Sequence, residues 1–328
     1  MNAIAYSTLN YFKTEIDLKD GRYPYIFIRK NGGGLISNFI NTPSIIQQIG
    51  GIDLISMAQN PILTVEYNYD ELCTYFEIID PNKLCLKINE AIAAYINLLW
   101  LIKDNSVCST QCWLNVDGKI SRNSRRDFFS NCNGTYCDVA FSLAELNKVV
   151  ASHKRLTEFI SKKDYGNNIN LDDPILRSPS INPSDLNFAK YIYNRVERAF
   201  KFLHLARSHS FLPMKISFYI VILECLFTTE NHEITHKVSE RATIYLGGDK
   251  NVKLNNFKRI KEAYDIRSKY MHGQALKKNI DYNELCRISK STDDIVRKIL
   301  NKVLFEDGEI FMKKDDELAS HYNTLIFT

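Results

Sequence analysis

Three prolines, Pro174, Pro179 and Pro183, fall within a span of ten residues, after a polar stretch that begins Lys162-Lys-Asp-Tyr-Gly-Asn-Asn. No period of 2 or 3.6 persists there, and a segment that can extend neither a helix nor a strand ladder reads as a linker. A break in the middle of a 328-residue chain is the strongest constraint on its fold, because the part on each side is long enough for a core. Residues 1–161 precede the linker at 162–185, residues 186–305 follow it, and 306–328 form an acidic tail.

The two sides differ in period. Beyond the linker, apolar residues step by three and four, as in Leu186, Ala189, Ile192, Val196, Phe200 and Leu203, which predicts a helix over 185–208. Further helices are expected at 212–229, 234–247, 251–271 and 282–304, with Pro213 in a first turn and Gly247 and Gly273 as stops. Short connections imply antiparallel neighbours in a bundle.

Before the linker the pattern is mixed. Tyr23–Ile28, Leu63–Tyr69 and Cys73–Ile79 have the aromatic and β-branched content of strands, the last two spaced for a hairpin. Trp113–Val116 and Tyr136–Phe141 suggest a second strand pair, with the basic segment Arg122–Arg126 between them as a solvated or phosphate-touching loop. Gly32–Gly34 lacks the lysine of a phosphate loop and reads as a turn. An apolar helix is expected at 86–103, and Ser142 with Glu145 has the spacing of a capping box that opens another helix to about Ser161.

The apolar runs Ala91–Ile102 and Ile216–Phe227 are about 12 residues each and are interrupted by Asn97, Ser217 and Glu224, short of the roughly 20 a bilayer requires. With no leader-like pattern in Met1–Asp20, a cytoplasmic protein with no membrane partner is expected. Among eight cysteines, Cys108, Cys112, Cys132 and Cys137 form two close pairs, the number of thiolates a tetrahedral zinc takes, but the spacing is loose and reduced thiols are the expected state, with no cofactor.

The near balance of 42 basic and 38 acidic side chains hides an uneven distribution. Residues 151–300 carry 26 basic and 17 acidic groups, and residues 251–300 alone carry 12 against 6. Such a local excess fits a polyanion-facing surface. No nucleophile elbow, zincin helix, Walker loop or kinase loop is present in the sequence. No catalytic motif surrounds His153, His204, His209, His232, His236 or His321 in the sequence, and they are expected to be structural or surface residues. His272 differs, because Arg267 lies five residues before it in Arg267-Ser-Lys-Tyr-Met-His272 at the end of a basic helix. A permanently charged fork for phosphate and a proton carrier active near neutral pH are the minimum for helping an RNA 2′-OH attack its own phosphodiester. An unbroken helix sets residues five apart on faces about 140° apart, but unwinding before Gly273 and the reach of a long guanidinium could still aim both groups into one cleft.

The order and spacing of Ile222–Phe227, Glu233–Gly247 and Arg267–Gly273 resemble the Apea-like HEPN family, over about residues 186–304. The resemblance implies an α+β N-terminal part followed by an all-α HEPN helical bundle, predominantly helical overall. It also implies a homodimer whose two R-x4–6-H motifs share one cleft, and metal-independent RNA cleavage in antiphage defence by abortive infection. Carried over, Arg267 would hold the scissile phosphate and His272 would act as general acid or base. Ser268 stands where active members commonly have Asn, Asp or His, so a catalytically silent module that binds RNA, a nucleotide or a partner protein is the alternative. Around the motif, Lys258, Arg259, Lys261, Lys269, Lys277 and Lys278 are candidates for a phosphate track, and Tyr270 for base stacking or core packing. Glu224 would orient Arg241 or Arg267, or lie exposed. The N-terminal part is expected to sense a phage-derived trigger or inhibitor protein, block the site or present the RNA.

Overall fold

A computed structural model describes residues 1–19, 25–40, 42–124, 128–159 and 194–326. The expected linker at 162–185 lies outside them, as does the start of the helix expected from 185. Strands β1 (Asn2–Thr8), β2 (Phe12–Lys13), β3 (Leu18–Lys19) and β4 (Tyr25–Arg29) are followed by three short helices, α1 (Gly33–Ile40), α2 (Pro43–Ile49) and α3 (Gly51–Gln59). Then come β5 (Ile62–Asn68), α4 (Tyr69–Phe76), the long α5 (Pro81–Ile102), β6 (Gln111–Val116), β7 (Lys119–Ser124), β8 (Val139–Ala140) and α6 (Leu143–Phe159). The remainder is helical: α7 (Arg195–Ser208), α8 (Leu212–Phe227), α9 (Ile234–Leu246), α10 (Lys250–Met271), α11 (Tyr282–Lys302) and, after a π and a 3-10 turn, α12 (Asp315–Ile326).

Six strands form one antiparallel sheet in the order β3-β4-β5-β1-β6-β7. The two-residue alternation of side chains decides what each face meets. Tyr6, Ile62 and Trp113 turn to one face, where they pack with Ile36, Phe39, Ile45, Leu54 and Met57 of α1–α3. Ala3, Ala5, Leu63, Val65, Cys112 and Leu114 turn to the other, against α5. Helix α5 also touches α6 and α11, and a single buried cluster runs from Ala3 through α5 and α8 to Tyr322. The parts on either side of the linker therefore share one core.

Of the helices expected after the linker, the last four are present with ends shifted by no more than two residues, whereas the first, expected from 185, begins at Arg195, where Asn194 and Glu197 form a capping box. Helix α8 is the centre of the bundle: Ile216, Tyr219, Ile220, Ile222, Leu223, Leu226 and Phe227 have no exposed surface. Each such aliphatic or aromatic side chain contributes roughly 1.5–3 kcal/mol on burial. Ser142 and Glu145 bond reciprocally at the start of α6, as their spacing requires. The acidic tail docks, burying Phe311, Leu318 and Tyr322, with Asp315 paired to Arg195.

Three N-terminal expectations need correction. Cys73–Ile79 is not a strand in a hairpin. Residues Tyr69–Phe76 are helical because Asn68 caps the Asp70 amide, acidic residues occupy the first turn, and Glu77 closes it at φ 55. Strand β5 pairs with β1 and β4 instead. The segment at 122–124, expected in a loop, belongs to edge strand β7, which pairs with β6; its outward polar side chains suit a sheet edge. Arg125 and Arg126 lie outside the described residues. Of Tyr136–Phe141 only Val139–Ala140 is strand, and it runs parallel to Phe12–Lys13 rather than beside Trp113.

Helix α5 alone among the described helices is long and apolar enough to cross a membrane; 67% of that window is buried inside the fold. Buried Asn89 and Asn97 lie on the same helix.

Candidate functional site

The last turn of α10 ends in a Schellman motif. The Gln274 amide donates to the Lys269 carbonyl and the Gly273 amide to that of Tyr270, with Gly273 at φ 66. Glycine adopts that left-handed conformation without the Cβ penalty other residues incur. The His272 amide still donates to the Ser268 carbonyl, so helical geometry holds up to the cap. Arg267 and His272 thus leave the helix on faces about 140° apart. Unwinding before Gly273, which could have aimed both groups into one cleft, does not occur.

Arg267 points to α8. Its guanidinium donates to the Glu224 carboxylate at 2.9 Å, both side chains partly shielded, while its Nε has no partner among the described residues. Burial pushes the Glu224 carboxyl up from its ordinary value, and the Arg267 charge opposes that rise. Arg241, the other arginine considered for Glu224, is bound elsewhere. It contacts Glu230 at 2.8 Å, the Phe227 carbonyl at 2.9 Å and Thr229 at 3.0 Å, and so ties α9 to the end of α8. Of the supporting residues only Glu224 reaches the motif arginine.

His272 is exposed, as are Ser268, Lys258 and Lys261. At 100° per residue these four and Lys269 share the outer half of α10. Asp265 interrupts the track, holding Lys269 at 3.2 Å and Lys277 at 3.0 Å; Lys278 is exposed in the loop beyond, and Arg259 is half-buried. Tyr270 is half-buried, its ring 5.6 Å from that of exposed Phe211. The chemistry this arrangement offers is a phosphate-binding fork in the seam between α8 and α10, with a solvent-facing imidazole among cations one turn further on.

The sequence reading missed a buried ionic centre where the N-terminal part meets the bundle. Asp293 of α11, 1% exposed, accepts from Trp100 of α5 and Tyr219 of α8, each at 2.7 Å, and pairs with Arg297. Arg207, with no exposed surface, donates to the side-chain oxygens of Asn97 at 2.7 Å and Asn105 at 2.9 Å. Nearby, the Lys215 ammonium reaches the Ser130 carbonyl at 3.2 Å. The signal in the sequence is Lys215, the one cation of the mostly apolar α8; Arg207 is one of four cations in α7 and does not stand out.

Burial, aided by the Arg207 charge, lowers Lys215 from 10.5 to about 7. Between those values the unfolded chain holds a proton the folded chain has lost, so stability rises with pH across that window; below about 7 the penalty of the buried charge is present in full. Lys215→Met should flatten this rise and raise the melting temperature at pH 7 by several degrees. Thermal melts from pH 6 to 10 with an unchanged slope in the variant would refute this.

Cys108, Cys112 and Cys132 are buried and Cys137 is exposed. Among the described residues no three His, Cys, Asp or Glu side chains are grouped to hold a metal ion. A hydrogen bond between the thiols of Cys112 and Cys85 of α5 instead drives the Cys112 thiol up and the Cys85 thiol down, burial adding to the rise at Cys112. Burial pushes Cys132 up to about 12.

No protein-family model, curated protein or solved structure matches the chain.

Proposed function

We propose that the chain is a metal-independent endoribonuclease of the HEPN type, acting as a dimer in the cytoplasm in antiphage defence. The observation that carries this reading is the end of α10: Arg267 turned into the α8 seam and held by Glu224, with His272 at the helix cap among exposed cations. One protomer separates the two groups, and a composite cleft brings the fork of one chain to the imidazole of its partner. The imidazole takes the proton of the 2′-OH as its oxygen bonds to phosphorus, or returns a proton to the departing 5′-oxygen. Arg267 stabilises the charge gathering on the phosphoryl oxygens. The products are a 2′,3′-cyclic phosphate and a 5′-hydroxyl, with no net redox change.

A second reading is a binding module without catalysis. The ion pair of Arg267 with Glu224 favours it, since an occupied guanidinium must exchange a carboxylate for a phosphate, and Ser268 is a departure from active relatives. Incubating purified protein with a mixed RNA pool separates the two. Discrete fragments ending in cyclic phosphate support the nuclease, whereas shifted but intact RNA supports the binding module. Cleavage that stops on adding a chelator would overturn metal-free chemistry.

A further inference from the structure

Large exposed aromatic side chains occupy helix ends where neither burial nor capping calls for them. Phe211 is the N-cap of α8, a position that favours Ser, Thr, Asp or Asn, yet it makes no side-chain cap bond and is 57% exposed. Tyr282 opens α11 just after its capping Asp281 and is 59% exposed. Such residues need another reason to be there.

On the fold, a chain of contacts joins them in a band to the end of α10. The Phe211 ring lies 5.6 Å from that of Tyr270, two residues before His272. Next to Phe211, Ser210 shares a 2.7 Å hydrogen bond with the hydroxyl of Tyr136, which is 41% exposed. Tyr136 belongs to a turn from the N-terminal part, and the Tyr282 hydroxyl donates to the Asn133 carbonyl of that turn at 3.3 Å. Gly134 lets the turn approach: at φ 74, a Cβ there would lie 2.2 Å from the Ser210 carbonyl oxygen.

The charge beside the band is positive. Residues 258–278 contain seven basic and two acidic side chains, with Lys278 exposed between His272 and Tyr282. Flat π-faces next to cations suit unpaired nucleobases on a phosphate chain; a duplex hides its base faces and presents phosphate alone. An apolar protein partner would explain the aromatic residues but not the basic excess of residues 258–278.

We infer that Phe211, Tyr270, Tyr136 and Tyr282 form a stacking platform for unpaired RNA bases, which delivers single-stranded RNA to the Arg267 and His272 end of α10. The inference rests on the ribonuclease reading for its substrate. It assigns the N-terminal turn around Tyr136 a part in presenting RNA. Base stacking carries the affinity and cations along α10 track the backbone.

The test uses the full-length protein and a fluorescent 12-nucleotide RNA of mixed sequence, made 2′-O-methyl so that it cannot be cleaved. Anisotropy titrations compare this strand with its blunt duplex, and wild type with Phe211→Ala/Tyr282→Ala. Both positions are exposed, and a matched thermal melt verifies that the variant is folded. The expected result is a single-strand preference of at least tenfold, lost in the double variant with duplex affinity unchanged. A strand with abasic sugars at four central positions should bind wild type as weakly as the intact strand binds the variant. Equal single-strand affinity in variant and wild type, with RNA still cleaved, would overturn the platform and leave the nuclease standing. Wild type that neither binds nor cleaves any RNA would overturn both.

Discussion

His272→Ala should reduce RNA cleavage by roughly 100-fold to 10,000-fold, the range associated with losing a general acid or base. The side chain is exposed, so its melting temperature should stay within about a degree of wild type, as is usual for surface substitutions. Arg267→Ala should be as damaging to the rate, because it removes the charge that meets the phosphoryl group. Its stability should fall slightly, since it strands the half-buried Glu224 carboxylate. Glu224→Gln separates positioning from chemistry: the amide oxygen still accepts from the guanidinium, so the rate should fall less than in Arg267→Ala. Single-turnover cleavage of a labelled RNA, with circular dichroism melts of each variant, makes the comparison. Full activity in both His272→Ala and Arg267→Ala would remove the site from α10.

The largest effect on stability should come from Asp293→Ala. Three groups lose their acceptor or counter-ion at once: the Trp100 indole, the Tyr219 hydroxyl and the Arg297 guanidinium. Breaking a buried pair by removing one partner costs about 3–5 kcal/mol, because the remaining charge is neither paired nor hydrated. For a chain of 328 residues that corresponds to a melting temperature lower by roughly 4–7 °C. The loss should be concentrated where α5 meets α8 and α11, so hydrogen exchange there should quicken before that in α10. Asp293→Ala/Arg297→Met should be less damaged than the sum of the single changes, since it removes both charges. A melting temperature within a degree of wild type for Asp293→Ala would mean the carboxylate holds nothing together.

The helices past the linker could be read from sequence because each carries its own signal. Apolar residues recur at three and four, Pro213 opens α8, and Gly273 closes α10 in the geometry glycine favours. The sheet was much less legible. Strand β1, Asn-Ala-Ile-Ala-Tyr-Ser-Thr, was missed although it lies between β5 and β6, because small residues carry little strand preference of their own. It is a strand because neighbours on both sides complete its hydrogen bonds. Cys73–Ile79 misleads for the opposite reason: Thr, Tyr, Phe and Ile favour strands, but a local cap and an acidic first turn make Tyr69–Phe76 a helix.

The same division runs through the site. Arg267, His272 and Gly273 could be singled out because spacing along one helix is a local property. Which partner each residue meets is not local. Glu224 lies 43 positions from Arg267, and Asp293 lies 193 positions from Trp100. Local period and capping, which act over a few residues, allowed the sequence by itself to determine a mostly helical second part and the place where its basic helix ends. Only the tertiary structure decided that Glu224 takes Arg267 while Glu230 takes Arg241, that Lys215 and Arg207 are buried, and that one core joins both sides of the linker. Those outcomes depend on which groups lose water together, and that is set by elements far apart in the chain.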